Sequence, residues 1–124
     1  MQPDIEIYLL SCPTEKIIAW LNDRFTLLDK QTPSTICTKL VMADKNQVIP
    51  VTIIEQAAGK RFTSVLFDTD KTPWDDDISC AKEAYRALQC EIRCNLQSWS
   101  EDDNQDPDQW WKINDYEEGP FIWK

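Results

Sequence analysis

The chain has 124 residues, 22 of them acidic against 13 basic, with no histidine and a formal charge of −9. That balance disfavours nucleic acid as a partner, since binding there rests on lysine and arginine neutralising phosphates. Without an imidazole, nucleophilic catalysis of the Cys-His or Ser-His kind has no base within the chain.

The length is that of one domain, residues 1–124, and 42% hydrophobic content with only two glycines describes an ordered globular chain. No run approaches the roughly 20 apolar residues of a membrane span, and Met1-Gln2-Pro3-Asp4 has neither the basic start nor the apolar core of a signal peptide. The expectation is therefore a small acidic cytoplasmic protein of bacterial type that contacts no membrane. Five cysteines, Cys12, Cys37, Cys80, Cys90 and Cys94, are an odd count in a chain able to build a core without staples, which favours reduced thiols acting as small buried hydrophobes.

In chain order, residues 4–10 begin with alternating polarity and end apolar, predicting a strand with one face in the core. A helix follows, capped by Ser11 or Cys12, with Pro13 at its first position and Ile17, Ile18, Leu21 and Phe25 as the buried stripe, Trp20 on its flank. Residues 26–34 give no clear signal beyond a short extended segment at Leu27-Leu28 and turn residues around Pro33. Residues 35–42 and 48–55 read as a hairpin turning through residues 44–47, and Pro50, which cannot donate to a ladder, predicts an edge strand or a bulge. A third strand over residues 62–67 completes a meander.

Next comes a helix start, with Thr72 as N-cap, Pro73 at the first helical position and Asp75 at the third. Trp74, Ile78, Ala81, Tyr85 and Leu88 recur at spacings of three and four and form its apolar stripe. Asp76 and Asp77 add negative charge beside the positive end of the helix dipole. Three consecutive helical carboxylates point about 100° apart, so Asp75, Asp76 and Asp77 do not converge on one ion. Residues 91–96 alternate polar and apolar as a half-exposed strand. From there the composition shifts: Glu101, Asp102, Asp103, Asp106 and Asp108 crowd a stretch at about residues 98–108 that reads as an acidic loop. A terminal hairpin, residues 110–114 and 120–123, closes the chain.

The predicted order is strand, helix, three strands, helix, strand and terminal hairpin. This is an α+β class: a mainly antiparallel sheet with two helices on one face, in a ferredoxin-like or split β-α-β arrangement.

The sharpest local motif is Val65-Leu66-Phe67-Asp68-Thr69-Asp70-Lys71-Thr72. Over these eight residues it resembles the first motif of haloacid-dehalogenase-like phosphotransferases. The resemblance implies a parallel sheet, Asp68 as nucleophile and Asp70 as general acid/base, with magnesium nearby. Lys71 stands where that family usually has glycine. The ordinary reading is a strand end with a polar turn and a helix cap. Cys90 and Cys94, spaced C-x-x-x-C, lack the paired C-x-x-C or histidine spacings of zinc sites. No cofactor or metal is implied.

With no convergent catalytic set, the first expectation is a non-catalytic protein-binding or regulatory module, immunity- or inhibitor-like, that masks a basic protein. Its gripping residues are Trp99, Glu101, Asp102, Asp103, Asp106, Asp108, Trp110 and Trp111, with the acids steering encounter and the indoles holding the complex. Two alternatives stand beside it. One is a structural homodimer joined through the Pro50 strand or the terminal hairpin. The other is a metal-dependent phosphatase built on Asp68 and Asp70.

Overall fold

The computed structural model describes residues 4–95 and 109–123. Ten elements follow one another: β1 (Ile5–Leu10), α1 (Thr14–Arg24), β2 (Thr26–Ser34), β3 (Cys37–Asp44), β4 (Gln47–Ile54), β5 (Phe62–Phe67), α2 (Asp77–Leu88), β6 (Ile92–Asn95), β7 (Gln109–Ile113) and β8 (Glu118–Ile122). The class is α+β, with one eight-stranded antiparallel sheet in the order β2-β3-β4-β5-β1-β6-β7-β8 and two helices. Strand β1 lies between β5 and β6 and runs antiparallel to both, so β5 and β6 are parallel to each other and α2 crosses over β1 to join them.

Alternation along each strand builds the core. Ile5, Ile7 and Leu9 on β1 stand opposite Phe67, Val65 and Thr63 on β5, and the same face continues through Ile53, Val51 and Ile49 on β4 and Leu40 and Met42 on β3. The eight apolar side chains of that row on β1, β3 and β4 are at most 1% exposed. Burying each contributes about 1.5–3 kcal/mol. Ile17, Trp20 and Leu21 of α1 and Cys80, Ala81 and Ala84 of α2 close onto this face in one cluster. The small residues of α2 bring it close to β1 and β6. Glu83 ties the helices together, accepting from the Arg24 Nε at 3.1 Å and from the Trp74 indole at 3.1 Å.

Several expectations are corrected. Residues 26–34 form the nine-residue edge strand β2, making four consecutive antiparallel strands where three were predicted. Its side chains are exposed on both faces except Leu27, so no two-residue rhythm of burial marks it in the sequence. Register shifts occur between Leu27 and Asp29 and between Gln31 and Ser34.

Pro50 sits neither at an edge nor at a bulge, because β4 lies inside the sheet in unbroken register with β3. The reason is geometric. The Pro50 carbonyl accepts from Asp68 N at 2.9 Å, and a strand residue's amide and carbonyl point the same way. The missing N–H therefore faces the point where the chain leaves β5, and a single terminal ladder bond is lost.

Both helix starts also move. Pro13 is itself the N-cap of α1, with no side-chain cap, in place of Ser11 or Cys12. Helix α2 begins at Asp77 with Asp76 as N-cap, its carboxylate accepting from Ser79 N at 2.7 Å, and Thr72 and Pro73 lie ahead of it in bends. Trp74 therefore belongs to no helical stripe. It drops into the core, its ring centroid 5.0 Å from that of Phe67, 5.8 Å from Phe25 and 6.1 Å from Trp20.

Candidate functional site

The second face of the sheet carries the alternate side chains: Glu6 and Tyr8 of β1, Phe62 and Ser64 of β5, Arg93 of β6, Trp110 and Lys112 of β7 and Phe121 of β8. Among the described residues neither helix packs on this face, because the buried side chains of both belong to the core on the other. In place of a helix it bears an aromatic cluster. Tyr8 meets Trp110 edge-on at 5.5 Å and Trp123 at 5.8 Å, and Trp110 and Trp123 lie 4.9 Å apart at 72°. Trp123 also contacts Phe62 at 4.9 Å and Phe121 at 6.3 Å. The T-shaped contacts put a positive ring edge on a negative ring face, each contributing about 0.5–1.5 kcal/mol beyond burial.

A cation already sits on these rings. The Arg93 guanidinium lies 4.5 Å from the Trp123 centroid, 4.7 Å from Phe62 and 4.9 Å from Phe121. Its fork also reaches Glu91, at 2.8 Å from both Nε and a terminal nitrogen. Burial pushes the Glu91 carboxyl up, but hydrogen bonds from Asn114 and Arg93 and the charges of Arg93 and Lys112 outweigh it and leave the acid below its usual range. Neighbouring Lys112 lies 4.9 Å over Phe121 and pairs with Glu117 at 2.6 Å.

Beside this cluster opens a cavity of about 460 Å³ walled by Tyr8, Trp110 and Trp123, with Ala58 and Gly59 on its rim. Gly59 adopts φ +83°, a conformation that side-chain-bearing residues rarely take, and a Cβ there would meet open space. The glycine thus serves the turn. The Tyr8 hydroxyl donates to Glu6, whose Oε2 also accepts from the Ser64 hydroxyl at 2.7 Å. Burial, then the Glu6 charge and this bond, hold the phenol above its ordinary value, so it stays a neutral donor. The arrangement offers flat π surfaces, one carboxylate and no nucleophile-base pair, which suits binding by stacking and charge.

The sequence-predicted site residues are distributed as follows. Trp99, Glu101, Asp102, Asp103, Asp106 and Asp108 lie outside the described residues. Trp110 lines the cavity, whereas Trp111 stands opposite buried Cys94 and packs against the core from the helix face. Adjacent strand residues point to opposite faces, so these two indoles do not share a surface.

Asp68 and Asp70 are exposed just beyond β5. Asp68 shares a hydrogen bond with Asp4, whose carboxyl is raised by burial, by that bond and by the charges of Asp68 and Asp70. Every strand pairing in the sheet is antiparallel, in contrast to the parallel sheet that the phosphotransferase resemblance implies. No group of three or more metal-ligating side chains converges among the described residues.

Sequence reasoning missed Tyr8, Phe62, Arg93 and Trp123. The signal for the first was present, since Tyr8 falls on the polar side of an alternating strand, but joining it to Trp110 required the register of β1, β6 and β7. Comparison with family models, curated proteins and solved structures finds no match to the chain.

Proposed function

We propose that the chain is a non-catalytic binding module that holds a basic protein partner on its open sheet face, seating a lysine or arginine side chain against Trp110 and Trp123. The observation that carries this reading is the cavity walled by Tyr8, Trp110 and Trp123 on the face that the helices leave uncovered. Support comes from Arg93, whose guanidinium rests on Trp123 and two further rings, so this ring set is arranged to receive a planar cation. Further support is the formal charge of −9 and the five acidic residues among residues 101–108, directly ahead of Trp110 in the chain, which would steer a cationic partner inward. Binding of this kind matches an inhibitor or immunity protein that covers a basic surface.

The test uses arginine-rich and lysine-rich peptides against a neutral peptide of equal length, with tryptophan emission and calorimetry as readouts. The expected result is affinity for the cationic peptides alone, weakening with salt, and lost at least tenfold in Trp110→Ala and Trp123→Ala. Equal affinity for the neutral peptide, or no effect of either substitution, would remove the reading.

A second reading is a homodimer joined edge to edge. It draws on β8, which ends the sheet and carries Pro120. The Pro50 strand is interior and drops out of this role. Light scattering showing a monomer at high concentration would dismiss it.

A further inference from the structure

Where β1 and β5 meet the start of α1, three chain segments converge on a cavity of about 280 Å³. Ser11 reaches it from the link between β1 and α1, Glu55, Lys60 and Arg61 from the link between β4 and β5, and Thr63 from β5 itself. It shares no lining residue with the cavity walled by Tyr8, Trp110 and Trp123.

The walls carry hydrogen-bond donors that the fold leaves unused. Ser11 and Arg61 hold each other: Ser11 N donates to the Arg61 carbonyl at 2.7 Å, and Arg61 Nε donates to the Ser11 hydroxyl oxygen at 3.1 Å. This fixes the guanidinium, yet Arg61 forms no ion pair among the described residues, and neither does Lys60. The Ser11 hydroxyl, already an acceptor, keeps its own proton to give. Thr63 is only 7% exposed, and its hydroxyl makes no hydrogen bond among the described residues. A hydroxyl so buried ordinarily finds a partner, so one left free on the wall of a cavity points to a ligand that supplies an acceptor. Pro13, which also lines the cavity, gives α1 no side-chain cap, and the first amides of that helix add their partial positive charge.

We propose that this cavity binds a small phosphate-bearing anion, with Arg61 and Lys60 on its charge and the Ser11 and Thr63 hydroxyls donating to its oxygens. Two cationic heads and two hydroxyls arriving from separate segments suit a tetrahedral group with oxygens on every side better than a flat carboxylate. The volume lies just under the roughly 300 Å³ at which pockets for drug-sized ligands begin, so the ligand is phosphate itself or a small phosphomonoester and no nucleotide. Glu55 lines the same cavity, its Oε2 accepting from the Thr14 hydroxyl at 3.0 Å. Its charge opposes an anion and moderates the affinity. Neutralising Glu55 should therefore tighten binding, the reverse of its effect in a site for cations.

The whole chain is titrated at constant ionic strength with inorganic phosphate and, separately, with glycerol 3-phosphate, using calorimetry and the thermal midpoint as readouts. Acetate and chloride are the comparison anions. The expected result is binding of one phosphate per chain and a midpoint that rises with phosphate but not with acetate or chloride. Tighter binding of glycerol 3-phosphate would assign the site to esters, and equal or weaker binding to phosphate itself. Arg61→Gln should weaken phosphate binding about tenfold and Thr63→Val, which keeps the side-chain shape, about threefold. Glu55→Gln should tighten it, and Lys30→Gln, on the edge strand β2, should bind as the parent does. No phosphate binding, equal binding of acetate, a loss in Lys30→Gln as large as in Arg61→Gln, or weaker binding in Glu55→Gln would each overturn the proposal.

Discussion

Asp77 makes the stability of this protein depend on pH in an unusual direction. It sits in the first turn of α2 and is only 4% exposed; one carboxylate oxygen finds no hydrogen-bond partner among the described residues. Burial is the largest influence on it and raises its pKa. A hydrogen bond from the Glu6 backbone opposes that, and the charges of Asp76 and Glu6 add to the rise, bringing it from 3.8 to about 7. Because the folded pKa is the higher one, the native state holds the proton more tightly than the unfolded chain does. The contribution to stability is fully present below the unfolded pKa and is lost as pH rises through the folded one. At about 1.4 kcal/mol per pKa unit, the shift amounts to about 4 kcal/mol in total, of which roughly 2 to 3 kcal/mol falls between about pH 5 and about pH 8.

Asp77→Asn keeps an acceptor for the Glu6 amide and removes the titration. Urea unfolding of both proteins across this range isolates the group, since every other carboxyl cancels in the difference. The variant should gain on the parent by roughly 2 to 3 kcal/mol on going from about pH 5 to about pH 8, which is about 1 M in urea midpoint at ordinary slopes. A difference that is flat with pH, or one that grows in the parent's favour, would refute the reasoning.

Two further outcomes follow from packing and backbone conformation. Trp74→Ala empties a site 6% exposed between Phe67, Phe25 and Trp20 and removes the indole donor to Glu83, so it should cost about 3–5 kcal/mol; denaturant unfolding reads this, and a loss under about 1 kcal/mol would contradict the packing. Gln89 ends α2 in the left-handed region at φ 59° and ψ 34°. Gln89→Gly should therefore raise stability by about 0.5–1 kcal/mol, visible as a higher thermal midpoint; a lower midpoint would contradict it.

The residues alone determined those elements whose signal is local. Alternation marked β1 and β6, Pro13 with an apolar stripe marked α1, and the residues lying between β3 and β4 marked their turn. The α+β class followed from counting these, since helices of that size need a sheet face to cover. Tertiary structure decided the remainder. The start of α2 had two chemically valid caps, Thr72 and Asp76, and the burial of Trp74 among Phe67, Phe25 and Trp20 selects the later one. Strand β2 has exposed side chains on both faces and exists through its ladder to β3, a partner that no local pattern names.

The candidate site was half visible, for the same reason. Tryptophan abundance near the C-terminus pointed to Trp110, but its wall partners Tyr8 and Trp123 come from β1 and from just beyond β8. Strand order, which inserts β1 between β5 and β6, brings Tyr8 within reach of the C-terminal hairpin. Side-chain chemistry is a property of each residue, whereas which surfaces meet depends on register between segments tens of residues apart, and that is settled only when the whole sheet closes over one core.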